Sequence, residues 1–141
     1  MDEINLEILR LLEHNGRMSH EEISKHLNIS RPAIHRRITK MEDEGIIKGY
    51  KADIDWSATG QVIRAVINLN IFTKDFHKSM EDIRNIKIDG LDIESCYRVT
   101  GQWCIMLRIR AKTTDNITQL HNELLSLEGM QDTFTILILS E

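Results

Sequence analysis

The sequence is poor in residues that break or cross-link a chain. It holds one proline, Pro32, and two cysteines, Cys96 and Cys104, among 141 residues. Two thiols so close in sequence do not make the disulfide framework of a small secreted domain. Aromatic residues are scarce at 5%, so the 41% of apolar residues must build a core chiefly from Ile and Leu. That apolar share offsets the entropy of ordering and excludes a disordered chain. No apolar run approaches the ~20 residues of a membrane helix. The acidic start Met1-Asp2-Glu3 lacks the basic and apolar regions of a signal peptide. A cytoplasmic protein without membrane contact is expected.

Catalytic patterns are missing as well. There is no G-x-S-x-G, no glycine-rich phosphate loop, and no His and carboxylate set near a nucleophile, so no enzyme and no catalytic residue are expected. The six histidines (14, 20, 26, 35, 77 and 121) form no close set. With no Cys or His pairs at structural-zinc spacing, neither a metal site nor a cofactor is expected. Net positive charge is lacking too, at −4 overall. This does not exclude a nucleic-acid partner, whose electrostatic footprint is a local patch rather than a chain total.

What is present has two periods. Ile4, Ile8, Leu11 and Leu12 make the one-sided spacing of a helix over 2–14, closed by Asn15-Gly16 with Gly16 free to take positive φ. Ser19-His20-Glu21-Glu22 reads as a capping box opening a short helix with Ile23 and Leu27 inward. After the turn Asn28-Ile29-Ser30, Ser30 caps a third helix with Pro32 in its first turn, Ile34, Ile38 and Met41 on one face, and Gly45 as its stop. Ile46–Ile54 reads as a strand or short pair of strands with a turn at Lys48-Gly49, and 55–61 as a linker.

From Val62 the period becomes 2. The predicted order is a strand over 62–71, a helix with Phe76, Met80 and Ile83 inward, and a strand over 91–99 with Leu91, Ile93, Tyr97 and Val99 on the apolar side. A turn at Gly101-Gln102 leads to a strand in which Trp103, Ile105, Leu107 and Ile109 share a face. A helix capped by Thr114 or Asp115, with Ile117, Leu120, Leu124 and Leu127 inward, precedes a last strand over about 131–139. The fold class is therefore α+β, a winged helix-turn-helix over 1–54 followed by a ferredoxin-like βαββαβ domain over 62–141. Helices cover one sheet face only. The last strand is apolar on both faces, which points to a partner chain on the other.

The third helix carries the chemistry. Arg31, Arg36, Arg37 and Lys40 lie on it, with no acidic residue from Ser30 to Met41. A recognition helix needs one apolar face and an opposite face of long donors for phosphates and base edges. Centring the buried face on Ile34 puts Pro32, Arg36, Thr39 and Lys40 opposite, with His35 on a flank. Arg31, His35 and Arg36, near the helix start, are candidates for base edges, and Arg37 and Lys40 for phosphates. Ser19, Ser30 and the N–H groups opening the second helix offer a further anion site, and Lys48 a wing contact. The bland reading is a solvated basic helix balanced by Glu42, Asp43 and Glu44. The coincidence of charge, turn and cap favours double-stranded DNA as the partner.

These residues resemble the Lrp/AsnC family of feast/famine regulators along nearly the whole chain. The resemblance rests on Ile8-Leu9-x-x-Leu12, Asn15-Gly16-Arg17-Met18-Ser19, Ile23-x-x-x-Leu27, Ile29-Ser30 and Arg36-Arg37-Ile38. Most specific is Met41-Glu42-x-x-Gly45-Ile46-Ile47-x-Gly49-Tyr50, joined by Tyr97-Arg98-Val99-Thr100-Gly101 and Thr133-x-Thr135. It implies a transcriptional regulator forming dimers, often tetramers or octamers, through the C-terminal domain. It also implies a small effector, commonly an amino acid, bound between dimers, which singles out Thr100, Gly101, Gln102, Trp103 and Cys104. Many amino-acid-responsive members carry acidic residues after the glycine. Here Gln102-Trp103-Cys104 offers no carboxylate to an effector ammonium. Two alternatives stay open: an effector-independent architectural DNA-binding protein of this fold, and a ligand-binding accessory module whose helical head grips a protein.

Overall fold

Asp2 opens the first helix, α1 (Glu3–His14), by accepting the Asn5 N–H at 2.8 Å. In this computed structural model, which describes residues 1–141, α1 ends without a left-handed glycine. Asn15 caps it in extended conformation, φ −145°, and its side chain accepts the Arg17 N–H at 3.0 Å. That Asx turn supplies the change of direction expected from Gly16, which does not take positive φ. Ser19 opens α2 (His20–Leu27), its Oγ accepting the Glu22 N–H at 3.1 Å, the forward half of the predicted box. Asn28 turns the chain at φ +54°. Ser30 then caps α3 (Arg31–Asp43) through the Ala33 N–H at 3.4 Å, with Pro32 in the first turn. Gly45, at φ +73°, carries the chain out of α3 in a conformation that a side chain disfavours.

Ile8, Ile23 and Ile34 are fully buried where the three helices meet, and Ile38 and Met41 nearly so. Each such side chain is worth about 1.5–3 kcal/mol of burial. The strands predicted over Ile46–Ile54 do not form. The N–H groups of Ile46 and Ile47 both turn back to the Met41 carbonyl, at 2.9 and 3.1 Å, which extends the end of α3. The residues that follow have no neighbouring strand to complete a ladder. Tyr50 instead reaches back to Glu42, its hydroxyl donating at 3.4 Å. These elements make one compact unit, Met1–Asp53; a second spans Ile54–Glu141.

The second unit begins with residues expected to be a linker. Trp56–Thr59 form a 3₁₀ turn, and the Arg110 guanidinium lies 3.9 Å from the centre of the Trp56 ring. Arg110 Nε donates to Gln61 at 2.7 Å, and Gln61 donates to Asp92 at 2.8 Å. Stacking and hydrogen bonding thus fasten this stretch to the sheet.

Four antiparallel strands follow, β1 (Ile63–Ile71), β2 (Leu91–Arg98), β3 (Ile105–Ala111) and β4 (Met130–Leu137), in the order β2-β3-β1-β4. Helices α4 (Phe76–Arg84) and α5 (Thr114–Leu125) cover one face and bury Ile83, Leu120 and Leu124 against Ala65, Ile67, Leu69, Leu107 and Ile109. This is the expected ferredoxin-like arrangement. The N-cap of α5 is Thr113, ahead of both Thr114 and Asp115, the two positions predicted, in a complete capping box with Asn116. On β2 the predicted faces exchange partway. Ile93 pairs with Ile109 but Ser95 pairs with Arg108, so Glu94 is an extra residue. Beyond it Cys96, not Tyr97, faces the core, opposite Leu107, and Tyr97 is 49% exposed.

Gly129, before β4, has φ +82°, and a Cβ there would lie 2.1 Å from the Phe72 carbonyl oxygen. Gly129→Ala should therefore destabilise the domain by more than about 1 kcal/mol. Thermal unfolding of full-length protein measures this; an unchanged midpoint would contradict the close approach.

Candidate nucleic-acid interface

Rotation of α3 is set by the residues it buries. Ile34, Ile38 and Met41 face the core, and Arg31, Pro32, His35, Arg36, Thr39 and Lys40 are exposed. No acidic residue occurs in its first turn. Lys40 lies 3.9 Å from Glu44 in an exposed pair that exchanges readily with solvent. Ser19 and Ser30 are exposed, but each hydroxyl already accepts a capping hydrogen bond. Their value to an anion lies in the N–H groups that open α2 and α3. Lys48 is exposed on the extended segment after α3, without the predicted wing strands beneath it.

Arg37 differs from its neighbours. Its guanidinium donates to Asp2 at 2.7 Å and to Asn5 at 3.0 Å, binding α3 to the start of α1. The hydrogen bond from Arg37, helped by the Asn5 N–H, holds the Asp2 carboxyl below its ordinary range. Arg37 is thus engaged inside the domain rather than free for phosphate. At 100° per residue it lies about 60° from Ile34, against about 160° for Arg36. That angle was available from the sequence; the acidic partner in α1 was not.

A second contact escaped the sequence reading, in which no histidines formed a close set. His20 and His35 are fifteen residues apart, yet their Nδ1 atoms lie 3.2 Å apart across the turn between α2 and α3. They belong to no group of three or more metal-binding side chains.

In the second unit, the segment expected to meet an effector links β2 to β3. Thr100, Gly101 and Gln102 are exposed, Trp103 and Cys104 half-buried. The Cys104 carbonyl accepts the Val99 N–H and its own N–H donates to Leu69, both at 2.9 Å, so the loop is pinned at its base. The Cys104 Sγ lies 3.1 Å from Asn70 Oδ1. Trp103 stacks on Phe134 of β4, with ring centres 5.8 Å apart and planes 21° from parallel. The two cysteines are free. On the uncovered sheet face, Tyr97, Phe134 and Ile136 are 44–52% exposed. No helix in the structure is long and apolar enough to cross a membrane.

Comparison with known proteins matches both units. Residues 1–48 fit the winged helix-turn-helix DNA-binding model and residues 73–141 the Lrp/AsnC ligand binding domain. An uncharacterized helix-turn-helix transcriptional regulator of Pyrococcus furiosus is 32% identical over 120 residues, 84% of this chain and 76% of that protein. The regulator LrpC of Bacillus subtilis is 27% identical over 87% of this chain and 83% of its own. The LrpC structure superposes with a TM-score of 0.85, covering all of this chain and 96% of that one. A Neisseria meningitidis transcriptional regulator solved with L-Met gives a TM-score of 0.87 at 25% identity, covering all of this chain and 91% of that one. With a DNA-binding head, an open-faced sandwich and these relatives, the chain belongs to the Lrp/AsnC family of DNA-binding transcriptional regulators.

Proposed function

We propose that this regulator reads its operator through the exposed face of α3, acting in the cytoplasm as a dimer or larger assembly. The observation carrying the proposal is the basic, carboxylate-free surface from Arg31 to Lys40, held outward by burial of Ile34, Ile38 and Met41. Arg31, His35 and Arg36 serve base edges. Thr39, Lys40, Lys48 and the N–H groups behind Ser19 and Ser30 serve phosphates, with Pro32 shaping the helix start. Arg37 is assigned to holding α1 against α3. A second copy covers the open sheet face around Phe134 and Ile136, and a two-fold pair of heads calls for a pseudo-palindromic site.

The effector region is proposed at Thr100–Cys104, where Trp103 and Phe134 offer an aromatic floor. Gln102 leaves this segment without a carboxylate, so an α-amino group would need neutral acceptors or a charge from another copy. The L-Met complex of the Neisseria regulator makes methionine the first amino acid to try.

Binding of the protein to DNA from upstream of its own gene, titrated with salt, tests the reading. Affinity should fall steeply, with log K losing about 0.9 per log unit of salt for each phosphate neutralised. Salt-insensitive binding, or none, would favour the accessory-module alternative. Repeating the assay with a pool of amino acids separates the remaining pair. Altered affinity, with a change in tryptophan fluorescence that Trp103→Phe abolishes and Trp56→Phe does not, supports effector control; indifference to every amino acid supports an effector-independent DNA-binding protein.

Arg36→Ala should cost about 1–3 kcal/mol in operator affinity and relax specificity without lowering stability. Arg37→Ala should do the reverse, lowering the thermal midpoint while keeping specificity, since its bond to Asn5 alone is worth about 1 kcal/mol. Because the Asp2 carboxyl is depressed, the pair's contribution is complete above the ordinary value of 3.8 and is lost as acid protonates Asp2 below it. The stability gap between wild type and Arg37→Ala should therefore narrow in strong acid, down to what the Asn5 bond alone supplies. A constant difference down to low pH would remove the Asp2 pair from the account.

A further inference from the structure

Two imidazoles meet on the solvent side of the helix-turn-helix. His20, first residue of α2, is half-buried, and His35 on α3 is exposed. Their Nδ1 atoms are 3.2 Å apart, with ring centres 5.1 Å apart and planes inclined at 49°. At that distance the two nitrogens need one proton between them. With none, two lone pairs face each other; with two, N–H faces N–H. The contact makes one ring donor and the other acceptor, and so couples their tautomers.

The coupled pair accepts one added proton without breaking. If His20 donates, the proton enters at His20 Nε2; if His35 donates, it enters at His35 Nε2. In either case the charged pair keeps its Nδ1 contact, and the outward Nε2 of the donating ring gains the proton that the accepting ring's Nε2 already carries, so both face outward as N–H donors. A donor is what a phosphate oxygen or the O6 and N7 edge of guanine requires. A further proton finds no place while the contact persists.

The surrounding charges make this step conditional. On α3, Arg31 sits one turn before His35 and Arg36 beside it, and Arg17 precedes α2; all three oppose a further cation. On α2, Glu21 and Glu22 follow His20 and favour one, although Glu21 is shared with Lys25 at 3.6 Å. From α1, Asp2 is engaged by Arg37 on another flank of α3. DNA phosphates set against this surface neutralise the arginines and reverse the field. We propose that His20 is a positioning residue for His35, and that the pair takes up one proton as α3 docks on DNA, turning His35 Nε2–H toward a phosphate or guanine acceptor. This rests on the docking of α3 proposed above.

The sign follows directly. DNA stabilises the protonated pair, so its contribution to affinity is present at low pH and lost as pH rises through the imidazole range. Operator affinity of the full-length protein should be measured from pH 6 to 8 at constant salt. Protons should be counted by calorimetry in buffers of different ionisation heat. Wild type should bind more tightly as pH falls, the slope approaching one proton per docked head and so at most about tenfold per pH unit for each head, or about a hundredfold for a two-headed dimer. His35→Gln should flatten the profile. His20→Gln should retain binding at pH 8 but lose most of the uptake near neutrality. His26→Gln, elsewhere on α2, should match wild type. A His20→Gln profile identical to wild type would overturn the pairing. Salt-sensitive but pH-independent binding by wild type would overturn the proton step and leave DNA recognition standing. Absence of salt-sensitive binding at any pH would sink both.

Discussion

Burial of Ile34, Ile38 and Met41 is the constraint from which the DNA-binding head follows. These side chains meet Ile8 of α1 and Ile23 of α2 with almost no surface left to solvent. Turning α3 by one residue, about 100°, would expose an isoleucine and drive a charged or polar side chain into the same space. Both changes are costly, so the helix has one available rotation. The outward direction of Arg31, Arg36 and Lys40 is a by-product of that burial. Capping by Ser30 and the release at Gly45 then fix where the helix begins and ends, and hence which of its basic residues lie near the N-terminus.

Much of this was legible because it depends on periodicity and local chemistry. The helices of the head, the alternation in β1 and β3, and the inward faces of α4 and α5 are all written at spacings of 3.6 or 2. What stayed hidden depends on partners distant in sequence or absent. The stretch after α3 has strand composition, but a strand without a neighbour has no ladder, and Ile46 and Ile47 bond back to Met41 instead. Gly16 looked like a helix cap, yet Asn15 made the turn with its own side chain. Trp56 and Gln61 read as linker because nothing nearby announces Arg110 as their partner. The meeting of His20 with His35 likewise exists only once α2 and α3 have packed.

The sheet of the second unit is asymmetric in a way that bears on assembly. Its helix-covered side is saturated with Ile, Leu and Ala. Its open side mixes exposed Tyr97, Phe134 and Ile136 with the network of Arg108 and Arg110 against Asp92 and Glu94. An apolar patch beside fixed charges favours a partner that matches it in register, as a symmetry-related copy does. Thr100–Cys104 borders the same region through the stacking of Trp103 on Phe134. Events at that loop and packing on the open face therefore share an aromatic contact.

The extra residue in β2 also makes the two thiols chemically unequal. Exchange of faces after Glu94 carries Cys96 into the core, where burial pushes its thiol up despite the opposing field of Arg84. Such a sulfur is poorly nucleophilic and shielded from reagents. Cys104, half-buried at the base of the loop beside Trp103, is the less enclosed of the two, its Sγ 3.1 Å from Asn70 Oδ1. One displaced residue in a strand has thus set two sulfurs of one chain in unlike surroundings, and a thiol reagent would meet Cys104 before it met Cys96.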